Sequence, residues 1–268
     1  MTMTGRLSKT ELIRLADRLS QRDWSIIRFI VQHRYATTIQ LRRMFFAAHA
    51  TQNAATRACI RVLDRLLTIR ILTRLERRVG GYQRGSSAYI WCLDTIGQRL
   101  TTPAGAPRRR FHEPSYVFTR HTLAISEAHV ELTEAEHHGW FKLARIEIET
   151  EAWRSYLTPL GATTILKPDV MTTISSPDYD DHWYIEIDLD TESIPVLMRK
   201  CHAYEDYRRI GHAQTEHGVF PRVLWVLPNQ ARLDRLNTAL TPDAGLNRSL
   251  FVLTTPEKFI ATLRDPPP

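Results

Sequence analysis

The sequence predicts an α/β chain, helices with a mixed sheet, in two domains: a helical domain closed by a hairpin at residues 20–102, and alternating strands and helices at residues 113–265. Three observations predict it. Net charge reverses along the chain, from +15 over residues 1–110 (21 Lys and Arg against 6 Asp and Glu) to −8 over residues 111–268 (15 against 23). Between the halves, TTPAGAPRRRFHEP at residues 101–114 holds three prolines, a glycine and the run Arg108–Arg110, the composition of a linker. Apolar residues recur with helical spacing before that stretch, and in alternating strand and helix patterns after it.

In the first half, Asp23 is placed to cap a helix whose apolar face is Trp24, Ile27, Ile30 and Val31. Thr37 or Thr38 starts a short second helix with Ile39, Leu41, Met44 and Phe45 inward. A longer third helix starts near Asn53 and buries Ala55, Cys59, Val62, Leu63, Leu66 and Leu67. Residues 71–79 read as a strand, Gly80-Gly81 as the start of a loop, and residues 88–93 as the returning strand. Three helices and then a hairpin is the order of a winged helix-turn-helix.

In the second half, residues 115–138 read as a helix with Val117, Leu123, Ala124, Ala128 and Leu132 on its apolar side. Residues 144–149 set Ile146 and Ile148 against Glu147 and Glu149, a strand with one wet face. Residues 162–174 and 183–190 follow as strands, 194–210 as a helix, 222–227 as a buried strand, 230–240 as a helix and 250–253 as a strand.

Composition excludes several classes. With 43% hydrophobic and 24% charged residues the chain is neither wholly disordered nor collagen-like. No apolar run approaches the about 20 residues that span a bilayer, and MTMTGRLSKTELIRLADRL has no signal-type apolar core. The expectation is therefore a cytoplasmic protein without membrane contact. Cys59, Cys92 and Cys201 are far apart and form no CxxC pair, which argues against disulfides and a cysteine zinc site. No phosphate-binding GxxxxGK[ST] loop occurs.

The positive half points to a polyanion. Arg57, Arg61 and Arg65 follow one another at i, i+4 and i+8 on the third helix, with Asn53 and Thr56 at its start. Arg42 and Arg43 precede them, and Arg74, Arg77, Arg78 and Arg84 lie along the hairpin, where a wing meets backbone phosphates. One arginine triplet is an ordinary solvated face; that triplet with four further arginines on the hairpin, in a half of net +15, favours double-stranded DNA. In the acidic half, Pro168-Asp169 ends a strand-like run, and WYIEIDLD places Glu186, Asp188 and Asp190 on one strand face, so that Asp169 and Glu186 can meet across neighbouring strands. Such oxygen clusters suit hard divalent cations, although the same charges also decorate exposed sheet edges. Lys200, Tyr204 and Arg208 share a helix face and can approach phosphate or the carboxylates.

The stretches LSQRDWSIIRFIVQHRYATTIQLRRMFF, RVLDRLLTIRIL, LDTIGQRL, KPDVMTTI, WYIEIDLDTES and RKCHAYEDYRR together resemble the replication-relaxation family of plasmids and integrative elements, over about residues 20–230. The resemblance implies an N-terminal winged helix-turn-helix and a C-terminal domain like the PD-(D/E)xK, or restriction-endonuclease-like, nucleases. It also implies a role in replication, relaxation or mobilisation of the element's DNA. Carried over, Asp169 matches the first acid and Glu186 the second, both as metal ligands for Mg²⁺ or Mn²⁺. Asp188 stands where those nucleases place lysine, and Lys200 or Lys167 can replace it in space. The resemblance thus implies a DNA-binding accessory protein whose nuclease-like domain is either a metal-dependent endonuclease or nickase, or catalytically degenerate. A relaxase or replication protein and a second copy of the chain are its expected partners. The alternative is a winged-helix transcriptional regulator with a C-terminal dimerisation or sensing domain.

Overall fold

Hydroxyl side chains start each of the first four helices. Residues 7–75, 89–103, 114–158, 161–177 and 179–266 are described by the computed structural model, in two units that divide between Val130 and Glu131. In the first unit, Ser8 caps α1 (Lys9–Asp17), Ser20 caps α2 (Gln21–His33), Thr37 caps α3 (Thr38–Phe45) and Thr51 caps α4 (Gln52–Thr68). Each accepts from a backbone N–H that no helical carbonyl reaches. Asp23 is therefore not the cap of α2 but the reciprocal partner of Ser20, whose backbone N–H donates to its carboxylate at 2.8 Å.

Two-residue β1 (Ala36–Thr37) precedes α3, and β2 (Leu72–Leu75) and β3 (Ile90–Leu93) follow α4, forming an antiparallel sheet in the order β1-β3-β2. The expected loop at Gly80-Gly81 lies outside the described residues. Helix α5 (Thr95–Thr101) occupies LDTIGQRL, a stretch for which no helix is expected from the apolar spacing. Gly97 explains its fit: a Cβ there would stand 2.2 Å from the Ile71 carbonyl oxygen. Ile26, Ile27, Ile30, Leu41, Cys59, Leu63, Leu66, Ile71 and Trp91 form the core. The buried face of α2 is rotated from the expected one: Ile26 and Phe29 are inside, whereas Val31 is exposed.

Helix α6 (Tyr116–His137) crosses the division between the units. The second unit continues with β4 (Lys142–Ile148), the hairpin β5 (Arg154–Leu157) and β6 (Thr163–Leu166), then β7 (Val170–Ser175) and β8 (Asp180–Ile187). The single strand expected over residues 162–174 is thus two strands, because Lys167-Pro168-Asp169 breaks the run; Pro168 cannot donate to a ladder. Helices α7 (Ile194–Ile210) and α8 (His212–His217), β9 (Arg222–Val226), α9 (Gln230–Leu240), β10 (Phe251–Thr254) and α10 (Phe259–Arg264) complete it.

The main sheet is mixed, in the order β10-β9-β8-β7-β4; β4, β7 and β8 are antiparallel neighbours, and β8, β9 and β10 run parallel. The chain is accordingly an α/β protein. Strand β8 lies at the centre, and Trp183 through Ile187 are buried on both faces, as a covered strand requires. Met171, Tyr184, Val223 and Trp225 pack with Leu197, Cys201 and Tyr204 of α7 and Leu236 and Leu240 of α9.

Candidate functional site

On α4, Asn53, Arg57 and Arg61 are exposed, and among the described residues neither Arg57 nor Arg61 has an acidic partner. Arg65, the third member of the expected triplet, is committed elsewhere. Its guanidinium holds the Asp23 carboxylate at 2.5 Å and so ties α4 to the start of α2. Burial would raise the Asp23 carboxyl, but hydrogen bonds from Arg65 and Ser20 outweigh it and hold it below the usual carboxylate range. Arg42 and Arg43 are half-buried on α3, and Arg43 pairs with Glu127 of α6 within the same unit. Arg74 is likewise internal, paired with Asp64 and lying over the Tyr89 and Trp91 rings. Arg77, Arg78 and Arg84 lie outside the described residues.

In the second unit, Glu186 on β8 and Asp188 just past its end meet different helices. Glu186 is 2% exposed. The Tyr204 hydroxyl of α7 donates to its Oε1 at 2.5 Å, and the Lys200 ammonium stands 3.6 Å from its Oε2. Lys200 also reaches Glu192 at 3.0 Å. Burial alone would lower the Lys200 ammonium, but Glu186 and Asp169, with Glu192, reverse that and push it well above the usual lysine range. Burial raises the Tyr204 hydroxyl, and the neighbouring Glu186 raises it further, so it remains a donor. Asp169, in the break before β7, accepts at 2.8 Å from the backbone N–H of Ile187 on β8. Asp169, Glu186 and Lys200 are therefore brought together across β7, β8 and α7.

Asp188 departs from the expected cluster. Arg232 of α9 holds it through Nε at 2.6 Å and Nη2 at 3.3 Å, and donates also to the Glu192 carbonyl. The strand has already ended at Ile187, and Asp190 turns through φ 58°, which puts its carboxylate 3.0 Å from the same arginine. The three-carboxylate face read from WYIEIDLD is thus divided: Glu186 meets α7, and Asp188 and Asp190 meet α9. Lys167, the other candidate replacement lysine, lies over the Trp153 ring instead.

Tyr204 and Lys200 were visible as a shared helix face; Arg208, on the same stripe, turns to Glu205. Arg232 was missed, although a signal existed: Arg232, Leu236 and Leu240 repeat at i, i+4 and i+8, an arginine on an otherwise apolar buried stripe. The three cysteines offer no nucleophile, because burial pushes the Cys59, Cys92 and Cys201 thiols up to about 12.

A hydrated Mg²⁺ or Mn²⁺ needs carboxylate oxygens open to it and to its waters. Glu186 fits poorly: it is buried, one oxygen takes a tyrosine hydroxyl and the other faces an ammonium. Asp188 fits no better beneath Arg232. Among the described residues, no group of three His, Cys, Asp or Glu side chains is arranged to hold a metal ion.

Residues 27–223 match the family model described as replication-relaxation. The chain belongs to the replication-relaxation family. No curated protein and no solved structure matches it. The family match runs from α2 to β9, so it includes both the arginine face of α4 and the Asp169–Glu186–Lys200 cluster. Membership places this replication-relaxation protein in the replication or relaxation of a plasmid or comparable element. Among its described residues, no helix is long and apolar enough to cross a membrane.

Proposed function

We propose that this replication-relaxation protein is a DNA-binding accessory factor, in which the first unit is a winged helix-turn-helix that grips duplex DNA and the second is a nuclease-like scaffold. The observation that carries the reading is the pair Arg57 and Arg61, exposed on α4 without acidic partners among the described residues, in a half of net +15. Asn53, one turn nearer the start of α4, suits a base edge, Arg42 adds a cation on α3, and Arg77, Arg78 and Arg84 add to the positive charge of this half of the sequence. The order of three helices and a hairpin supports the same reading. For the second unit, support comes from an antiparallel β4-β7-β8 run followed by α7 and a parallel β9. Gel shifts across a salt series test the proposal. Arg57→Ala with Arg61→Ala is expected to weaken duplex binding and reduce the salt slope by about 2, because each phosphate contact contributes about 0.9. Unchanged affinity and slope would remove α4 as the DNA-reading element.

The second unit is read as a scaffold for docking a relaxase, a replication protein or a second copy, because protein cations neutralise Glu186 and Asp188. One observation favours a second reading, a metal-dependent nickase: Lys200 stands beside Asp169 and Glu186, where the lysine missing from position 188 would be needed. Supercoiled plasmid with Mg²⁺ or Mn²⁺ separates the two. Nicked product that vanishes with EDTA and in Asp169→Ala/Glu186→Ala would establish the nickase; intact plasmid with intact binding is the expected result.

A further inference from the structure

We propose that Ile60 is a specificity-determining residue that reads the 5-methyl group of a thymine in the major groove; the proposal rests on the reading of α4 as the DNA-binding helix. Ile60 is 44% exposed, whereas Ala55, Ala58, Cys59, Leu63 and Leu66 of the same helix are buried. It is not a stray member of the core stripe. Ile60 follows Asn53 by seven residues and Arg57 by three, so it shares their face, with Arg61 beside it. Asp64, one turn further on, is the acid on this face, and Arg74 pairs with it and removes its charge from the surface that meets phosphate.

The face therefore presents an apolar, β-branched side chain flanked by an amide and two guanidiniums. That combination is matched by one class of ligand. Guanidiniums pair with phosphate or with guanine edges, an amide with adenine, and the thymine methyl is the apolar group exposed in the major groove. A bare protein docking surface would not call for the flanking cations, and a phosphate-only surface would not call for isoleucine. Isoleucine is also a weaker helix former than the alanine, arginine or leucine found elsewhere in α4, so helix propensity does not account for its presence at an exposed position.

The test uses the full chain and needs no variant to begin. A preferred duplex is selected from a randomised pool, and each thymine in it is then replaced by deoxyuridine, which deletes only the methyl. At least one replacement is expected to weaken binding about fourfold, the equivalent of about 0.8 kcal/mol for one buried carbon. Ile60→Ala is expected to lose a similar factor on the thymine duplex and to be indifferent to the replacement, whereas Ile60→Val, which keeps the branched γ-carbons, is expected to stay sensitive to it. Binding without any sequence enrichment, or uridine sensitivity that survives in Ile60→Ala, would overturn the proposal. Absence of any duplex binding by the wild-type chain would instead overturn the DNA-binding reading on which it rests.

Discussion

Arg61 and Arg232 are both helix arginines, and the two units treat them in opposite ways. Arg61 is exposed on α4 and has no acidic partner among the described residues. Arg232, on α9, has a side chain only 2% exposed and spends its donors on Asp188, Asp190 and the Glu192 carbonyl. An arginine left in solvent keeps its charge available to a polyanion at little expense in stability. A buried one exists only with its partners, because either charge alone in the interior carries a desolvation penalty of several kcal/mol. Residue type is thus a poor guide to role; the acids a helix happens to cross decide it.

Removing each arginine is the sharpest way to break the comparison. Arg232→Ala leaves Asp188 buried without a counter-charge and is expected to destabilise the chain by about 3–5 kcal/mol in urea melts. Arg61→Ala should stay within about 0.5 kcal/mol. Equal effects would erase the distinction.

Acid provides a contrast of nearly the same size. In the first unit His33 and His129 share a 2.8 Å ring hydrogen bond in the interior. Burial lowers His33 well below the usual histidine value, with His129 adding to the effect, and burial alone lowers His129 to about 4. The fold holds both rings neutral, so their contribution is complete above the unfolded value near 6.5. It is lost as pH falls from there towards about 4, by about 3 kcal/mol for His129. Protection factors at the Ile30 and Leu41 amides, with the pH dependence of unprotected amide exchange divided out, are expected to fall below pH 6.5, and a His33→Leu/His129→Leu variant should be less sensitive to acid. Equal acid sensitivity in that variant would assign the effect to carboxylates instead.

Tyr204→Phe removes the donor to buried Glu186 and is expected to cost about 1.5–3 kcal/mol, the range for a hydrogen bond to a charged group. Its DNA affinity should not change, since it lies in the unit not expected to grip DNA. A smaller effect than that of Tyr204→Phe belongs to Arg65→Ala. It loosens the tie from α4 to Asp23 by about 1 kcal/mol or less, because Arg65 is 46% exposed, and it should alter the DNA salt slope less than Arg57→Ala or Arg61→Ala does.

Local periodicity made much of this protein legible before any coordinates. The 3.6-residue spacing located α2, α4, α6, α7 and α9, and Gln230–Leu240 was bounded to the residue. Alternation located β4 and β8. Short elements escaped: α5 has no periodic apolar pattern to mark it, and its Gly97 lets the helix approach Ile71. The proximity of Asp169 and Glu186 was expected from adjacent strands, and Asp169 indeed meets the β8 backbone at Ile187. What no spacing rule contained was the choice of partners. Glu186 and Asp188 are two residues apart and look equivalent in sequence, but α7 crosses one and α9 the other, so one meets a lysine and a tyrosine and its neighbour an arginine. Periodicity is a property of the chain's own bond geometry and is written in the sequence. Which side chains neutralise each other is set by where distant helices cross the sheet, and that was decided only when the chain packed.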